Sequence, residues 1–136
     1  MTFVQLMDAL ARAANLKEGV RLGPDGSACL AVDDLAVEFR EIGGGQEMLM
    51  WSPLCARPVG DDGRTNEMLL RGNFLGALTN GAVLSLSQDG ENICLHRRLA
   101  LSGLEPGAFL SAFEGFVESI VTWQRLIADV VEEGDL

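Results

Sequence analysis

The sequence is poor in the residues on which most catalytic sites depend. It has no tyrosine, one histidine and three cysteines among 136 residues, and it contains no phosphate-binding loop, nucleophile elbow or zinc-protease motif. The single histidine, His96, lies in the strand-like segment ICLHRRL, where the alternation turns it outward with Cys94 and Arg98. A surface or interface histidine is more common in such a setting than a general base. We therefore expect no enzymatic activity, no metal site and no cofactor.

Basic residues are scarce as well. Only 10 Lys and Arg stand against 20 Asp and Glu, which gives a formal net charge of -10, and the longest basic run is Arg97-Arg98. Nucleic-acid affinity comes largely from Lys and Arg side chains that neutralise phosphates and release counterions. The charge balance therefore excludes nucleic acid as the expected partner.

Long apolar runs, a secretory leader and a cysteine framework are also missing. No apolar run approaches the ~20 residues that span a bilayer, and the start MTFVQLMDAL lacks the basic segment and the uninterrupted apolar stretch of a signal peptide. Cys29, Cys55 and Cys94 are odd in number and too widely spaced for a disulfide framework or a metal-binding pair. We expect a cytoplasmic protein with reduced cysteines in its core and no membrane partner.

The hydrophobic pattern predicts one α+β domain over residues 1–136. The predicted order is α-β-β-β-α-β-β-α, with an antiparallel, twisted five-stranded sheet flanked by helices. The helices are predicted over residues 2–15 and 65–78 and for about six turns from Pro106. The strands are predicted over residues 28–32, 35–40, 46–56, 83–87 and 93–100, with a very short further strand at 20–22.

The second predicted helix indicates self-association. Apolar residues surround residues 65–78, so this helix needs a cover on more than one side, and a partner subunit would supply it. Gly72 and Gly76 each cost about 1 kcal/mol in a helix interior. Such a cost is understandable if another backbone approaches closely, although simple tolerance of glycine is the alternative. We therefore expect a homodimer.

The apolar content of the chain indicates protein binding. The sequence is 48% hydrophobic, and the segment MLMW is apolar on both faces of a strand. A five-stranded sheet covered by helices on one side would leave apolar side chains on the other. Methionines can add adaptable contact surface, although they more often fill a core.

Residues 65–127 combine a Leu-rich helix with a central asparagine, a small-residue turn, a hairpin and an aromatic residue near the end of the last helix. The residues that carry this pattern are Leu69, Leu70, Asn73, Thr79-Asn80-Gly81-Ala82, Leu95, Leu99-Ala-Leu101 and Trp123. With this pattern, the segment resembles the class I type III secretion chaperone family. The N-terminal half is similar in layout only. The resemblance implies a homodimer that binds the N-terminal segment of a secreted effector and keeps it soluble and partly extended without ATP hydrolysis. Release would require an outside secretion ATPase or sorting platform.

The resemblance also implies two sets of contact residues. The first helix and the three-strand meander would bind the effector, and the second helix with the following strand would form the dimer contact. The effector-binding residues would be Phe3, Leu6, Leu10, Leu30, Val37, Phe39, Met48, Met50 and Leu54. The dimer-interface residues would be Leu70, Asn73, Phe74, Ala77, Val83 and Ser85. Two alternatives remain open: a binder of the same family that sequesters a regulator of secretion genes, and a small-ligand or lipid-binding α+β domain with a Met- and Trp-lined pocket.

Overall fold

A computed structural model describes residues 2–16, 19–32, 34–60 and 62–134. The helices are α1 (Phe3–Ala13), α2 (Asp62–Gly72) and α3 (Pro106–Gly134), with one 3₁₀ turn at Phe74–Gly76. The strands are β1 (Arg21–Leu22), β2 (Ala28–Val32), β3 (Leu35–Ile42), β4 (Glu47–Ala56), β5 (Val83–Leu86) and β6 (Asn92–Ala100). The pairs β1–β2, β2–β3, β3–β4 and β5–β6 are antiparallel. The predicted α+β class and the order of the elements are confirmed, and β1 is the very short further strand.

The contacts within the chain divide it into two compact units. The first comprises Met1–Ser52 and Arg97–Glu114, and the second comprises Pro53–His96 and Gly115–Leu136. The strand order is β1-β2-β3-β4-β6 in the first unit and β4-β6-β5 in the second. The prediction of a single domain over residues 1–136 stays a prediction.

The predicted N-terminal helix is confirmed as α1 of the first unit. It begins at a capping box, in which the Thr2 hydroxyl accepts a hydrogen bond from the Gln5 N–H at 3.2 Å and the Gln5 side chain accepts one from the Thr2 N–H at 2.9 Å. This arrangement satisfies two backbone donors that the first turn of a helix leaves unpaired. The buried stripe of α1 consists of Phe3, Leu6, Met7, Leu10 and Ala11.

Strand alternation separates an inner face from an outer face in β3 and β4. Phe39 pairs with Met50 on the inner face, and both side chains are fully buried. Glu38 pairs with Trp51 on the outer face, where Trp51 is half-buried. The Phe39 ring meets Phe109 of α3 edge to face, with ring centroids 6.2 Å apart. The apolar residues on both faces of β4 agree with its position between β3 and β6.

The second helix differs from the prediction at both ends. α2 begins at Asp62 and ends at Gly72, and the 3₁₀ turn at Phe74–Gly76 follows. Leu75 has a φ of 58° and Asn80 a φ of 53°. Residues with positive φ cannot continue a right-handed helix, so the predicted helix to residue 78 is wrong.

Both glycines of this segment have structural reasons, and only the one at Gly76 is the predicted approach of another backbone. A Cβ on Gly72 would lie 2.4 Å from Trp123 Cη2 and 2.8 Å from Leu84 Cδ1. Gly76 lies outside α2 with a φ of 70°, and a Cβ there would lie 3.5 Å from the Cα of Gly81. The prediction that a second backbone approaches Gly72 is wrong, because side chains of the same unit fill that space.

The long helix α3 begins at Pro106, as the sequence predicts. In the second unit its Trp123 ring is buried, and the indole N–H donates to the Leu78 carbonyl at 3.0 Å. The Gln124 side chain donates to the Leu54 carbonyl at 2.9 Å. These bonds hold the α3 residues of this unit to β4 and to the irregular segment that follows α2.

Candidate binding surfaces

The structure buries the side chains that the sequence assigns to effector binding. Each is at most 5% exposed. They are Phe3, Leu6, Leu10, Leu30, Val37, Phe39, Met48, Met50 and Leu54. Alternation places the strand members on the covered face of the sheet, so the apolar surplus forms the core. These side chains are not exposed in the isolated chain, and their role in effector binding stays a prediction.

Most of the residues assigned to the dimer contact are exposed. Leu70 and Phe74 are 74% and 71% exposed, and Ala77 and Val83 are also exposed. Asn73 and Ser85 are half-buried. Their role in a dimer contact stays a prediction.

Two further leucines extend this exposed surface. Leu75 is 85% exposed and Leu78 is 66% exposed. We name the 70–83 patch the exposed apolar side chains Leu70, Phe74, Leu75, Ala77, Leu78 and Val83. Sequence reasoning missed Leu75 and Leu78 as surface residues because it placed them in a helix. The available signal was the run LGALTNG, whose glycines and asparagine are typical of turns.

Two open clefts border the 70–83 patch in the second unit. The first has a volume of about 290 Å³ and runs between α2 and β5. It is lined by Asn66, Leu69, Leu70, Asn73, Leu84, Ser85 and Leu86. The second has a volume of about 440 Å³ and runs between α2 and α3. It is lined by Arg64, Glu67, Met68, Arg71, Gly72, Leu78, Trp123, Leu126 and Val130. Both clefts could receive apolar side chains.

The first unit presents a different surface. Leu49 and Trp51 are half-buried on the outer face of β4, beside their β3 partners Arg40 and Glu38. β1 is the last strand in the order of this unit, and its Leu22 is exposed. An edge strand offers backbone groups to an extended polypeptide. This unit therefore combines an apolar sheet face with a sheet edge.

The cysteines differ in their surroundings. All three are free, with Cys29 exposed, Cys55 half-buried and Cys94 buried. Burial raises the pKa of the Cys55 and Cys94 thiols, which keeps them in the less reactive thiol form. The expectation that all three lie in the core is wrong for Cys29.

The described residues offer little for metal or membrane binding. No group of three or more His, Cys, Asp or Glu residues among them could hold a metal ion. Within residues 2–16, 19–32, 34–60 and 62–134, no helix is both long and apolar enough to cross a bilayer.

Comparison with known proteins identifies the family. Residues 5–124 match the profile of the Tir chaperone protein (CesT) family, and the chain belongs to this family. None of the curated proteins matches the sequence.

Several solved structures share the fold. A chain of the ExsC–ExsE complex superposes with a TM-score of 0.76 at 17% identity, covering 93% of this chain and 96% of that chain. A chain of the HopA1–SchA chaperone–effector complex gives a TM-score of 0.72 at 16% identity and covers 90% and 93%. The Yersinia pestis type III secretion chaperone SycH, in complex with a stable fragment of YscM2, gives 0.69 at 17% identity and covers 89% and 98%. The resemblance predicted from residues 65–127 is thus confirmed.

Proposed function

We propose that this chain is a class I type III secretion chaperone that binds the N-terminal segment of a secreted effector as a homodimer. It acts in the bacterial cytosol, keeps the segment soluble and partly extended, and hydrolyses no ATP. The observation that carries the proposal is the exposed apolar surface of a chaperone-family chain, above all the 70–83 patch. Similar solved structures support it, since one is a chaperone–effector complex.

The 70–83 patch supports the dimer part of the proposal. Large apolar side chains in such numbers on one short segment are typical of a surface that is covered in the functional assembly. In a twofold dimer the same patch from each subunit would face its copy. The cleft of about 290 Å³ beside Leu70 could receive an apolar side chain such as Phe74 of the partner subunit.

The first unit supports the effector part. Because its α1 and inner sheet residues are buried, we place effector contact on the outer face of β4, around Leu49 and Trp51, and on the edge of β1. An extended segment would gain backbone hydrogen bonds along the edge and anchor apolar side chains on the face. Two sources of affinity are needed, since ordering a flexible segment opposes binding.

Copurification tests the proposal most directly. The tagged chain is expressed in its native bacterium, and the bound protein is identified by mass spectrometry. Its N-terminal segment is then titrated against the chaperone by calorimetry. We expect binding to that segment alone, and binding only to a folded C-terminal domain of the partner would contradict the proposal.

A matched pair of variants locates the effector contact. Trp51→Asp should weaken binding at least about tenfold, because it places a charge at an apolar contact. Val59→Asp is the control, since Val59 is fully exposed and lies outside both surfaces. Circular dichroism checks folding. A folded Trp51→Asp variant that binds like Val59→Asp would move the contact to another surface.

A small apolar ligand is a second candidate, which the cleft between α2 and α3 favours. Its volume of about 440 Å³ is within the ordinary range for small-molecule sites, and its lining by Met68 and Trp123 is apolar and aromatic, as is usual for such sites. Decanoate titrated into a Trp51→Phe variant, which leaves Trp123 as the fluorescent reporter, tests this. A saturable change in Trp123 emission would favour a ligand site, and an unchanged spectrum would leave protein binding as the function.

A further inference from the structure

Side chains form rows across the outer face of the sheet in the first unit. In one row Glu38 of β3 lies opposite Trp51 of β4, and in the next row Arg40 lies opposite Leu49. Residues directly opposite in an antiparallel pair have Cβ atoms about 5 Å apart, so the members of a row can contact one another. Leu49 and Trp51 are half-buried, which leaves part of each side chain open to a partner.

β6 extends the row of Arg40 and Leu49. The Leu101 N–H donates to the Gln46 carbonyl at 2.9 Å, so the start of β4 lies beside the end of β6 and the two strands run antiparallel. Counting inward from this bond by the same number of residues on both strands brings Arg98 opposite Leu49. The burial agrees, because Leu101 is buried and alternation turns Arg98, which is exposed, to the other face. Arg40 and Arg98 therefore lie on either side of Leu49.

Arg40 already has carboxylate partners. Its Nη2 atom lies 3.2 Å from Asp25 Oδ2 and 3.0 Å from Glu38 Oε1. The Asp25 carboxylate also accepts a hydrogen bond from the Ser27 hydroxyl at 2.6 Å, which fixes its position. Both carboxylates of this network thus face a cation from the same chain.

The Arg98 guanidinium differs from that of Arg40. Within the part of the chain that the structure describes, no side chain forms an ion pair or a hydrogen bond with it. Glu47 lies on the same strand as Leu49, but its carboxylate is near the β3–β4 turn, where a Cβ on Gly43 would lie 3.7 Å from Glu47 Oε1. Arg and Trp side chains are enriched among the residues that dominate protein interfaces. Arg98 is therefore an available cation beside an apolar contact surface.

We infer that Arg98 selects an acidic residue in the bound effector segment, next to the apolar residue that packs on Leu49 and Trp51. This inference rests on the outer-face contact in the proposed function and specifies one feature of the segment. A carboxylate can accept two parallel hydrogen bonds from a guanidinium, and the pair gains strength where apolar groups exclude water. A basic residue at the same place would be repelled by Arg98, since Asp25 and Glu38 are already paired with Arg40.

The selection is local. The chain as a whole has a net charge of -10 and attracts a segment of opposite overall charge. Exposed charges farther apart than a Debye length of about 8 Å are largely screened at physiological ionic strength. One acidic residue at Arg98 is therefore compatible with a segment that is basic elsewhere.

Two probes with the same ring system test the site before an effector is known. Anilinonaphthalene sulfonate carries an anionic group, and phenylnaphthylamine has the same rings without charge. Each probe is titrated while the Trp51 indole N–H resonance is followed by NMR, which distinguishes binding near Trp51 from binding at other apolar surfaces. We expect the sulfonate to bind there with a dissociation constant at least about threefold lower than that of the neutral probe. Arg98→Gln should make the two constants equal, whereas Arg125→Gln, at an exposed position of the second unit, should not.

The effector segment provides a second test once copurification has identified it. Each acidic residue of the segment is replaced by lysine in turn, and binding is measured by calorimetry. One replacement should weaken binding to the parent chaperone at least about threefold. The same replacement should bind the Arg98→Glu variant more tightly than the unchanged segment does, because the two charges of the pair have been exchanged.

Equal dissociation constants of the two probes in the parent protein would overturn the inference, and so would a preference that survives Arg98→Gln. The same conclusion follows if neither probe shifts the Trp51 resonance, or if Arg98→Glu rescues none of the lysine replacements. Circular dichroism checks that the Arg98 variants fold, and the comparison of the two probes in the parent needs no variant. The proposed function is decided separately, since a segment that binds the parent but not Trp51→Asp would establish the outer-face contact without a role for Arg98.

Discussion

Gly72 is the residue at which one added methyl group would disturb the second unit most directly. Because a Cβ there would overlap Trp123 and Leu84, we predict that Gly72→Ala lowers the free energy of unfolding by about 1–2 kcal/mol. Overpacking of this kind outweighs the ~1 kcal/mol that alanine gains in helix propensity. Urea denaturation followed by circular dichroism measures the difference.

Gly63→Ala is the matched control on the same helix. A Cβ on Gly63 would meet nothing within 4 Å, so this change should raise the free energy of unfolding by about 0.5 kcal/mol. If both variants were stabilised equally, the Trp123 ring would have to move aside without cost, and the packing described at Gly72 would be wrong.

Asp89 links the β5–β6 turn to pH. Its carboxylate accepts from the Ser87 hydroxyl at 2.6 Å and from the Glu91 N–H at 3.0 Å, and these hydrogen bonds lower the pKa of Asp89 below 3.8. With a lowered pKa in the folded state, the stabilisation is present above the ordinary pKa and is lost as pH falls through the folded value. We predict that the Glu91 amide resonance titrates below pH 3.8. The Asp89→Asn variant should not show this titration of the Glu91 amide in NMR spectra. A titration midpoint above the ordinary pKa of an aspartate in the parent protein would contradict the prediction.

At the scale of the element, the start of α1 depends on its capping box. Thr2→Ala removes the acceptor for the Gln5 N–H, and we predict a loss of about 1 kcal/mol in the free energy of unfolding. Thr122→Ala in α3 is the control, because Thr122 is exposed within a helix, where alanine has the higher helix propensity and should raise the free energy of unfolding by up to about 0.7 kcal/mol. Thermal unfolding of both variants measures the difference, and equal melting temperatures would argue against the box.

Local pattern predicts some elements well and others poorly. α1 and α3 follow from a cap or a proline followed by regular apolar spacing, and the strands follow from alternation. The end of α2 does not follow in this way, since the apolar spacing continues to Leu78 and Leu75 itself gives no signal of a positive φ. Contacts distant in sequence end the helix there, including the bonds between Asn73 and Leu84. Such contacts cannot be read from a short window of sequence.

The candidate site was predictable only in part for a related reason. Alternation shows that Phe39 and Met50 share a face with each other, but it does not tell whether that face is covered. The structure covers it and leaves Trp51 on the opposite face partly open. Leu70 and Phe74 were identified through family resemblance, and their exposure in the structure agrees with an interface without testing one.

At the scale of the whole molecule, the oligomeric state tests the 70–83 patch. We predict that Phe74→Asp converts the dimer to a species near 14.6 kDa at micromolar concentration, because an unpaired charge in an apolar contact is strongly unfavourable. Val59→Asp adds the same charge at an exposed position outside the patch and should leave the dimer intact. Sedimentation equilibrium measures both masses. A dimeric, folded Phe74→Asp variant would place the interface elsewhere.

Leu75 is predicted to lower the stability of the isolated chain while contributing to dimer formation. A leucine with a φ of 58° has an unfavourable backbone conformation, and at 85% exposure its side chain buries little apolar area that could offset this in the isolated chain. We predict that Leu75→Gly raises the melting temperature of a monomeric Phe74→Asp background while weakening the dimer in the parent background. A lower melting temperature in the monomer would contradict this. Selection for a higher melting temperature of the isolated chain would therefore remove this leucine. The variants with the most stable monomers should be among those that dimerise most weakly.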